Sequence, residues 1–295
     1  MRLLDLLRKS TDCLEAAGID EAFADAELLV FHAANMDRID AYVNNPEVKS
    51  SDSARVRRLL QRRLKGEPIQ YIVGQIEFLG LTIKVGRGVL IPRPETELLV
   101  EEAIKAVMRN KISVASKEKN ALRVTQRASL SVLDLCTGSG CIALSLAKEF
   151  PDAEVYGTDL SKEALVYAKK NAKANDIKNV TFLQGSLFEP VKGKAYDLIT
   201  ANPPYIRRSE LETLQREIRD WEPISALDGG EDGMDFYRTI LSSADKFLNP
   251  GGSLFLELGY DQAEAVKKVA KRQGFLDLAV INDYAGIGRI LAVRR

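Results

Sequence analysis

The sequence predicts an α/β protein built on a doubly wound, mainly parallel seven-stranded sheet, with a small helical domain and a β-hairpin ahead of it. Three observations carry this. From residue 131 onward, short apolar segments alternate with helix-length amphipathic ones, the pattern of parallel strands joined by crossover helices. The first 65 or so residues show leucines at helical spacing instead. Between the two regions, Gly80 separates a pair of short alternating segments, which reads as a hairpin. The length of 295 residues fits about two domains. The expected boundaries are 1–70 for the helical domain, 71–92 for the hairpin linker and 93–295 for the sheet domain.

The elements follow in order. Leu3, Leu4, Leu7 and Leu14 form one helix face, and Asp20 is placed to cap a second helix reaching Ala34. A third helix over 51–65 carries Val56, Leu59, Leu60 and Leu64 on its apolar side. Arg55, Arg58, Arg62 and Lys65 fall on the other side, joined by Arg57 and Arg63, with no acid among them. That face is either simply solvated or a dock for an acidic partner or RNA. After the hairpin, Glu95 opens a helix to about Arg109. The polar stretch 110–129, with Lys111, Lys117, Lys119, Arg123 and Arg127, predicts a mobile loop. Strands are expected at 131–135, 154–158, 180–184, 196–200, 253–258, 276–282 and 289–293. Helices are expected at 141–150, 162–175, 234–248 and 262–273. Only a turn separates the last two strands, so they pair antiparallel at one end of the sheet.

Composition removes several function classes. Lys+Arg and Asp+Glu are both 42, against the basic excess usual in a duplex-binding protein. The single histidine, His32, rules out a multi-histidine metal centre and reads as structural. Cys13, Cys136 and Cys141 form no C-x-x-C pair, so neither a zinc ribbon nor a disulfide framework is expected and a cytoplasmic setting follows. No apolar run is long enough to span a bilayer, and the charged N-terminal stretch has no signal-peptide core.

After the first sheet strand stands Asp134-Leu-Cys-Thr-Gly-Ser-Gly140, with Ala143 beyond. The glycines allow a tight strand-to-helix turn and close approach of backbone to ligand, as in any dinucleotide loop. Asp159 ends the second strand, where a carboxylate can accept from both hydroxyls of a ribose. NAD and S-adenosylmethionine both carry that ribose. Asp134 favours S-adenosylmethionine, because a carboxylate beneath the loop suits ammonium and sulfonium charges and opposes a pyrophosphate. The expected loop contacts are Cys136, Thr137, Gly138, Ser139 and Gly140.

The fourth strand runs into Asn202-Pro-Pro-Tyr205. Strand carboxyl ends line the crevice of an open α/β sheet, so this motif lies beside the glycine loop. Pro203 and Pro204 have no N–H, leaving carbonyls free to accept. With the Asn202 side-chain oxygen they can grip an NH2 on a planar carbon, and Tyr205 can pack on that plane. Such a nitrogen is a poor nucleophile. Holding its hydrogens aims its lone pair and stabilises the positive charge it gains. Glutamine amides and the amino groups of adenine or cytosine all fit.

The sequence resembles the bacterial HemK/PrmC-type methyltransferases over essentially its whole length. The resemblance rests on Gly66-Glu-Pro-Ile-Gln-Tyr-Ile-x-Gly74, Ile91-Pro-Arg-Pro-Glu-Thr-Glu97, the glycine loop, Asn202-Pro-Pro-Tyr205, Trp221-Glu-Pro223 and the segment from Ala226 to Tyr237. It implies a Rossmann-like, seven-stranded S-adenosylmethionine-dependent methyltransferase domain. It also implies methyl transfer to the side-chain amide nitrogen of the glutamine in the Gly-Gly-Gln motif of peptide chain release factors. Asn202 and the Pro203 carbonyl would hold the amide, and Arg93 and Glu97 join the substrate side. The helical domain would help to recognise the release factor. No stable DNA binding, no membrane association and a monomer are expected.

Two residues depart from the family pattern. Cys136 replaces a usual glycine, and Ser186 stands where many relatives have an acid near the adenine. Ser186 can still hydrogen-bond the base, with Leu187 or Phe188 packed on it. The run Asp228-Gly-Gly-Glu-Asp-Gly233 resembles a calcium loop, but position twelve is Thr239, so it reads as a turn. Three alternatives remain: a methyltransferase acting on a nucleic-acid base, a silent S-adenosylmethionine-binding adaptor, and an NAD-dependent dehydrogenase. The last lacks an acid/base partner for hydride transfer.

Overall fold

The computed structural model describes residues 1–117 and 129–295, with backbone alone for 110–117. It divides into two compact units, Met1–Gln75 with Gln215–Trp221, and Ile76–Leu214 with Glu222–Arg295. The short insertion of 215–221 into the first unit has no signature in the sequence.

The first unit is helical: α1 (Leu3–Ala16), α2 (Ala22–Ala34), α3 (Arg38–Asn44), α4 (Ser50–Leu64) and α5 (Ile69–Val73). Leu3, Leu6, Leu7 and Leu14 of α1 are buried against Ala26, Leu29 and Val30 of α2 and Val56 and Leu59 of α4. Asp20 does not cap α2. The helix starts after Glu21, with no side-chain cap. A short helix that the sequence did not predict, α3, does have one: Asp37 accepts from Asp40 N at 2.9 Å.

The α4 basic face is smaller than expected. Arg63 is 4% exposed, because Val56, Leu59 and Arg63 share one side of the helix and that side faces the core. Its guanidinium pairs with Asp25 of α2 and with Glu217, both at 2.5 Å. Arg62 is held by Glu67, and Arg55 sits 3.2 Å from His32 Nε2.

The second unit opens with the hairpin β1 (Gln75–Phe78) and β2 (Leu81–Lys84). The outer edge of β2 is satisfied by two asparagines one helical turn apart. Asn175 accepts from Thr82 N and donates to Thr82 O, and Asn171 does the same at Lys84. Then α6 (Pro94–Lys117) runs about two turns past the expected end, since neither glycine nor proline interrupts 110–117. The remainder of the expected loop, 118–128, lies outside the described residues.

The sheet follows: β3 (Ser131–Leu135), α7 (Cys141–Glu149), β4 (Glu154–Asp159), α8 (Lys162–Ala174), β5 (Val180–Gln184) and β6 (Tyr196–Ala201). After the excursion through α9 (Arg216–Trp221) come α10 (Asp235–Ala244), β7 (Leu248–Glu257), α11 (Ala263–Arg272), β8 (Asp277–Asn282) and β9 (Gly288–Arg294). The strand order is β5-β4-β3-β6-β7-β9-β8. Only β9 is reversed, antiparallel to both β7 and β8. Helix α10 ends at Ala244, short of the expected 248, and a 3-10 turn over Asp245–Phe247 leads into a longer β7. The order reverses between β3 and β6, which places a crevice at the carboxyl ends of those strands. Among the described residues, no helix is long and apolar enough to cross a membrane.

Candidate active site

A cavity of about 340 Å³ opens at that crevice. Its walls come from four strand ends and from the segment between β2 and α6. Cys136, Thr137, Gly138 and Ser139 follow β3, Asp159 and Ser161 follow β4, Ser186 and Leu187 follow β5, and Asn202 and Pro204 follow β6. Val89, Leu90 and Thr96 line it as well, as do Pro223, Ala226 and Phe236.

The glycine loop is rigidly built. Thr137 N donates to Thr158 O at 3.0 Å, and Gly138 N to the Asp159 carboxylate at 2.8 Å. Gly140 has φ +82, and a Cβ there would lie 3.0 Å from Phe182 and 3.1 Å from Ala168. Only glycine meets both demands, but the same packing turns Gly140 away from the cavity. Cys136 takes φ +53, so the position usually held by glycine keeps a glycine-like backbone, at a cost of about 1 kcal/mol for a residue with a Cβ. Burial pushes its thiol well above the ordinary range.

Asp134 does not reach the wall. It is fully buried, accepting from Thr137 Oγ1 at 2.6 Å and Thr200 Oγ1 at 2.9 Å. Desolvation raises its pKa to about 7. Thr137 therefore stands between this charge and the cavity. Asp159 lines the cavity itself, and burial also raises its pKa. Ser139 lines the wall, and its Oγ is buried with no hydrogen-bond partner among the described residues. A donor and acceptor left open in this way fits a polar ligand in the loop.

The residues after β6 alternate. Asn202 and Pro204 face the cavity, while Pro203 is buried behind them and Tyr205 packs on the core cluster. In an extended backbone successive side chains point to opposite sides, so the Pro203 and Tyr205 side chains turn away from the wall. The tyrosine is still fixed in place: its carbonyl accepts from Gln262 Nε2 at 2.9 Å. The 228–233 turn supports the same segment from behind. A Cβ on Gly229 would lie 2.7 Å from Tyr205 Cα and 2.9 Å from Pro204 O.

Three of the expected residues lie off the cavity wall. Glu97 accepts from Leu79 N at 3.1 Å and so anchors the hairpin turn, away from the cavity. Arg93 pairs with buried Glu222, which also accepts from Ile91 N at 3.2 Å. That pair ties the Ile91–Pro94 segment to the stretch before Pro223 and leaves the arginine outside the wall. Phe188 stacks on Phe247 with ring centres 4.3 Å apart, inside the core; Phe236 supplies the aromatic wall instead.

Sequence reasoning missed Thr96 and Glu257. Asn202 Nδ2 donates to Thr96 Oγ1 at 3.1 Å, and Thr96 Oγ1 donates to Glu257 at 2.7 Å. Glu257 is 2% exposed, and desolvation lifts its pKa to about 7. A lone acid in the apolar strand β7 was the available signal.

The comparisons with known proteins agree with this geometry. Residues 5–74 match the PrmC N-terminal domain, and residues 126–283 match a methyltransferase domain. The release factor glutamine methyltransferase of Thermodesulfovibrio yellowstonii is 44% identical over 271 residues, covering 92% of each chain. Its counterpart in Geobacter sulfurreducens is 43% identical, covering 95% of this chain and 92% of that one. A solved structure of the human methyltransferase 10 domain containing protein covers 73% of this chain and 88% of its own, with a TM-score of 0.50 at 16% identity, and shows the shared fold. With relatives this similar along nearly its full length, the chain belongs to the release factor glutamine methyltransferase family.

Proposed function

We propose that this protein transfers a methyl group from S-adenosylmethionine to the side-chain amide nitrogen of the glutamine in the Gly-Gly-Gln motif of peptide chain release factors. The observation that carries this is a single cavity holding both halves of the chemistry. The glycine loop and Asp159 lie on one part of its wall, and Asn202 and Pro204 on another. An amide acceptor beside a nucleoside loop is what methyl transfer to a carboxamide requires.

S-adenosylmethionine supplies an electrophilic methyl on a sulfonium. Asp159 would accept from the ribose hydroxyls, held in place by its hydrogen bond from Gly138 N. Ser186 and Leu187 face the base, and Ser139 offers its open hydroxyl. Asp134, behind Thr137, puts a negative charge under the cationic end of the donor. Asn202 Oδ1 and the Pro203 main-chain carbonyl would accept the hydrogens of the glutamine amide and orient its nitrogen. As the new N–C bond forms and the C–S bond breaks, these acceptors stabilise the positive charge growing on nitrogen. The surplus N–H proton passes to solvent.

The helical unit recognises the release factor in this reading. Its exposed side chains include the basic Arg57, Arg58 and Lys65 and the apolar Ile39 and Val43. A reaction on release factors places the protein in the cytoplasm, and a cavity built wholly from one unit of one chain supports action as a monomer.

The test is methyl transfer from labelled S-adenosylmethionine to purified release factor. Asn202→Ala is expected to keep cofactor affinity and lose turnover by on the order of a hundredfold. An unchanged rate removes Asn202 from the mechanism.

A further inference from the structure

A carboxamide has nearly the same shape either way round. Its oxygen accepts and its nitrogen donates, and sterics barely distinguish the two orientations. A glutamine amide presenting its NH2 for methylation needs an acceptor opposite. If the nitrogen of Asn202 faced the cavity, two NH2 groups would meet and the substrate would be turned away.

Hydrogen bonds behind Asn202 decide the matter. Glu257 is buried at the end of β7, and Thr96 lies near the start of α6. Thr96 Oγ1 is 2.7 Å from the Glu257 carboxylate, and Asn202 Nδ2 is 3.1 Å from Thr96 Oγ1. An ionised carboxylate only accepts. The single hydroxyl hydrogen of Thr96 is thereby committed to Glu257, so its oxygen can only accept from Asn202. That draws the asparagine nitrogen inward and leaves Oδ1 for the substrate.

We propose that Thr96 and Glu257 are positioning residues that fix the orientation of the Asn202 carboxamide, so that an acceptor and not a donor meets the substrate amide. The proposal rests on the methyl-transfer reading above and adds two residues to it. Other groups facing Glu257 maintain its site. The Asn202 side chain also hydrogen-bonds toward the carboxylate directly, which draws its nitrogen the same way; Arg289 of β9 bears a charge opposite to that of the carboxylate, Glu95 of α6 bears a like one, and the ring of Tyr205 and the thiol of Cys141 lie in the same field. Tyr237 of α10 donates to the Glu257 backbone carbonyl at 2.9 Å. None of these supplies a second acceptor to Thr96 among the described hydrogen bonds.

The test compares Thr96→Val with Thr96→Ser at about pH 8.5, above the value near 7 to which burial raises Glu257. Valine keeps the shape and removes the relay, and serine keeps the hydroxyl. The expected result for Thr96→Val is a kcat lower by on the order of a hundredfold, with cofactor affinity close to that of the parent, and a kcat largely restored in Thr96→Ser. A valine variant with parental kcat overturns the relay and leaves the methyl-transfer reading intact. So does one that loses cofactor binding together with kcat. A parent protein that labels no release factor overturns the methyl-transfer reading instead. In that case, or if Thr96→Val does not fold, side-chain amide NMR of the parent decides the relay. A slowly exchanging Asn202 Nδ2 proton supports it, and rapid exchange of both protons overturns it.

Discussion

Asp134→Asn separates the stability of the sheet unit from its affinity for a cationic ligand. Asp134 is fully buried and its pKa rises from 3.8 to about 7, chiefly through desolvation. An acid raised in this way keeps its proton in the folded chain after the unfolded chain has released it. Its contribution to stability is complete below about pH 4 and is lost as the pH climbs to about 7. Between about pH 5 and 7 the loss is roughly two pH units at 1.36 kcal/mol each, or about 3 kcal/mol. Glu257, raised from 4.5 to about 7, adds a similar amount. Urea denaturation at about pH 5 and 8 is therefore expected to show a decline of roughly 6 kcal/mol in the parent and roughly half that in Asp134→Asn. Ligand affinity moves the other way. A cation held about 6 Å from Asp134, on the far side of Thr137, would be worth ~3 kcal/mol at an effective dielectric of about 20. The variant is expected to bind S-adenosylmethionine up to about a hundredfold more weakly at pH 8 and equally at pH 5. Equal pH slopes for the two proteins, or tight pH-independent binding by the variant, would refute this reasoning.

Two further outcomes follow from packing. Arg63→Ala leaves Asp25 buried at 6% exposure without its partner, and should destabilise the helical unit by about 3–5 kcal/mol; Arg63→Met with Asp25→Leu should recover most of that, and circular dichroism melts of both variants check it. Gly229→Ala drives a Cβ to 2.7 Å from Tyr205 Cα, so kcat should fall at least tenfold with little change in cofactor affinity, as steady-state kinetics and equilibrium binding would reveal.

The sheet was legible because its signals are local. Seven short apolar segments stand out from the helix-length ones between them, and the last two are too close for a crossover helix. Boundaries shifted where a local signal conflicted with packing. Asp20 looked like a cap, but α2 begins two residues later. Arg63 looked like part of a solvated face, but the seven-residue spacing from Val56 places it on the buried side. The wall of the cavity was partly legible: Cys136 to Ser139, Asp159, Ser186, Leu187, Asn202 and Pro204 all lie on it. Asp134, Gly140, Pro203 and Tyr205 are one layer behind, since strand-end alternation and helix entry point them away. Arg93 and Glu97 carry charges that resemble substrate contacts, yet their partners are Glu222 and the Leu79 amide. Those partners are distant in sequence or belong to the backbone, so no motif reveals them. Thr96 escaped notice between two glutamates, and its importance comes only from contact with Glu257, 161 residues away.

The central claim is that the cavity methylates a carboxamide nitrogen of a release factor. Tandem mass spectrometry of a release factor incubated with the protein and S-adenosylmethionine tests it most directly. The expected result is one added methyl on the side-chain nitrogen of the Gly-Gly-Gln glutamine, absent when that glutamine is changed to alanine. A methyl on another residue, persistent labelling of the alanine substrate, or preferential labelling of DNA would contradict the account.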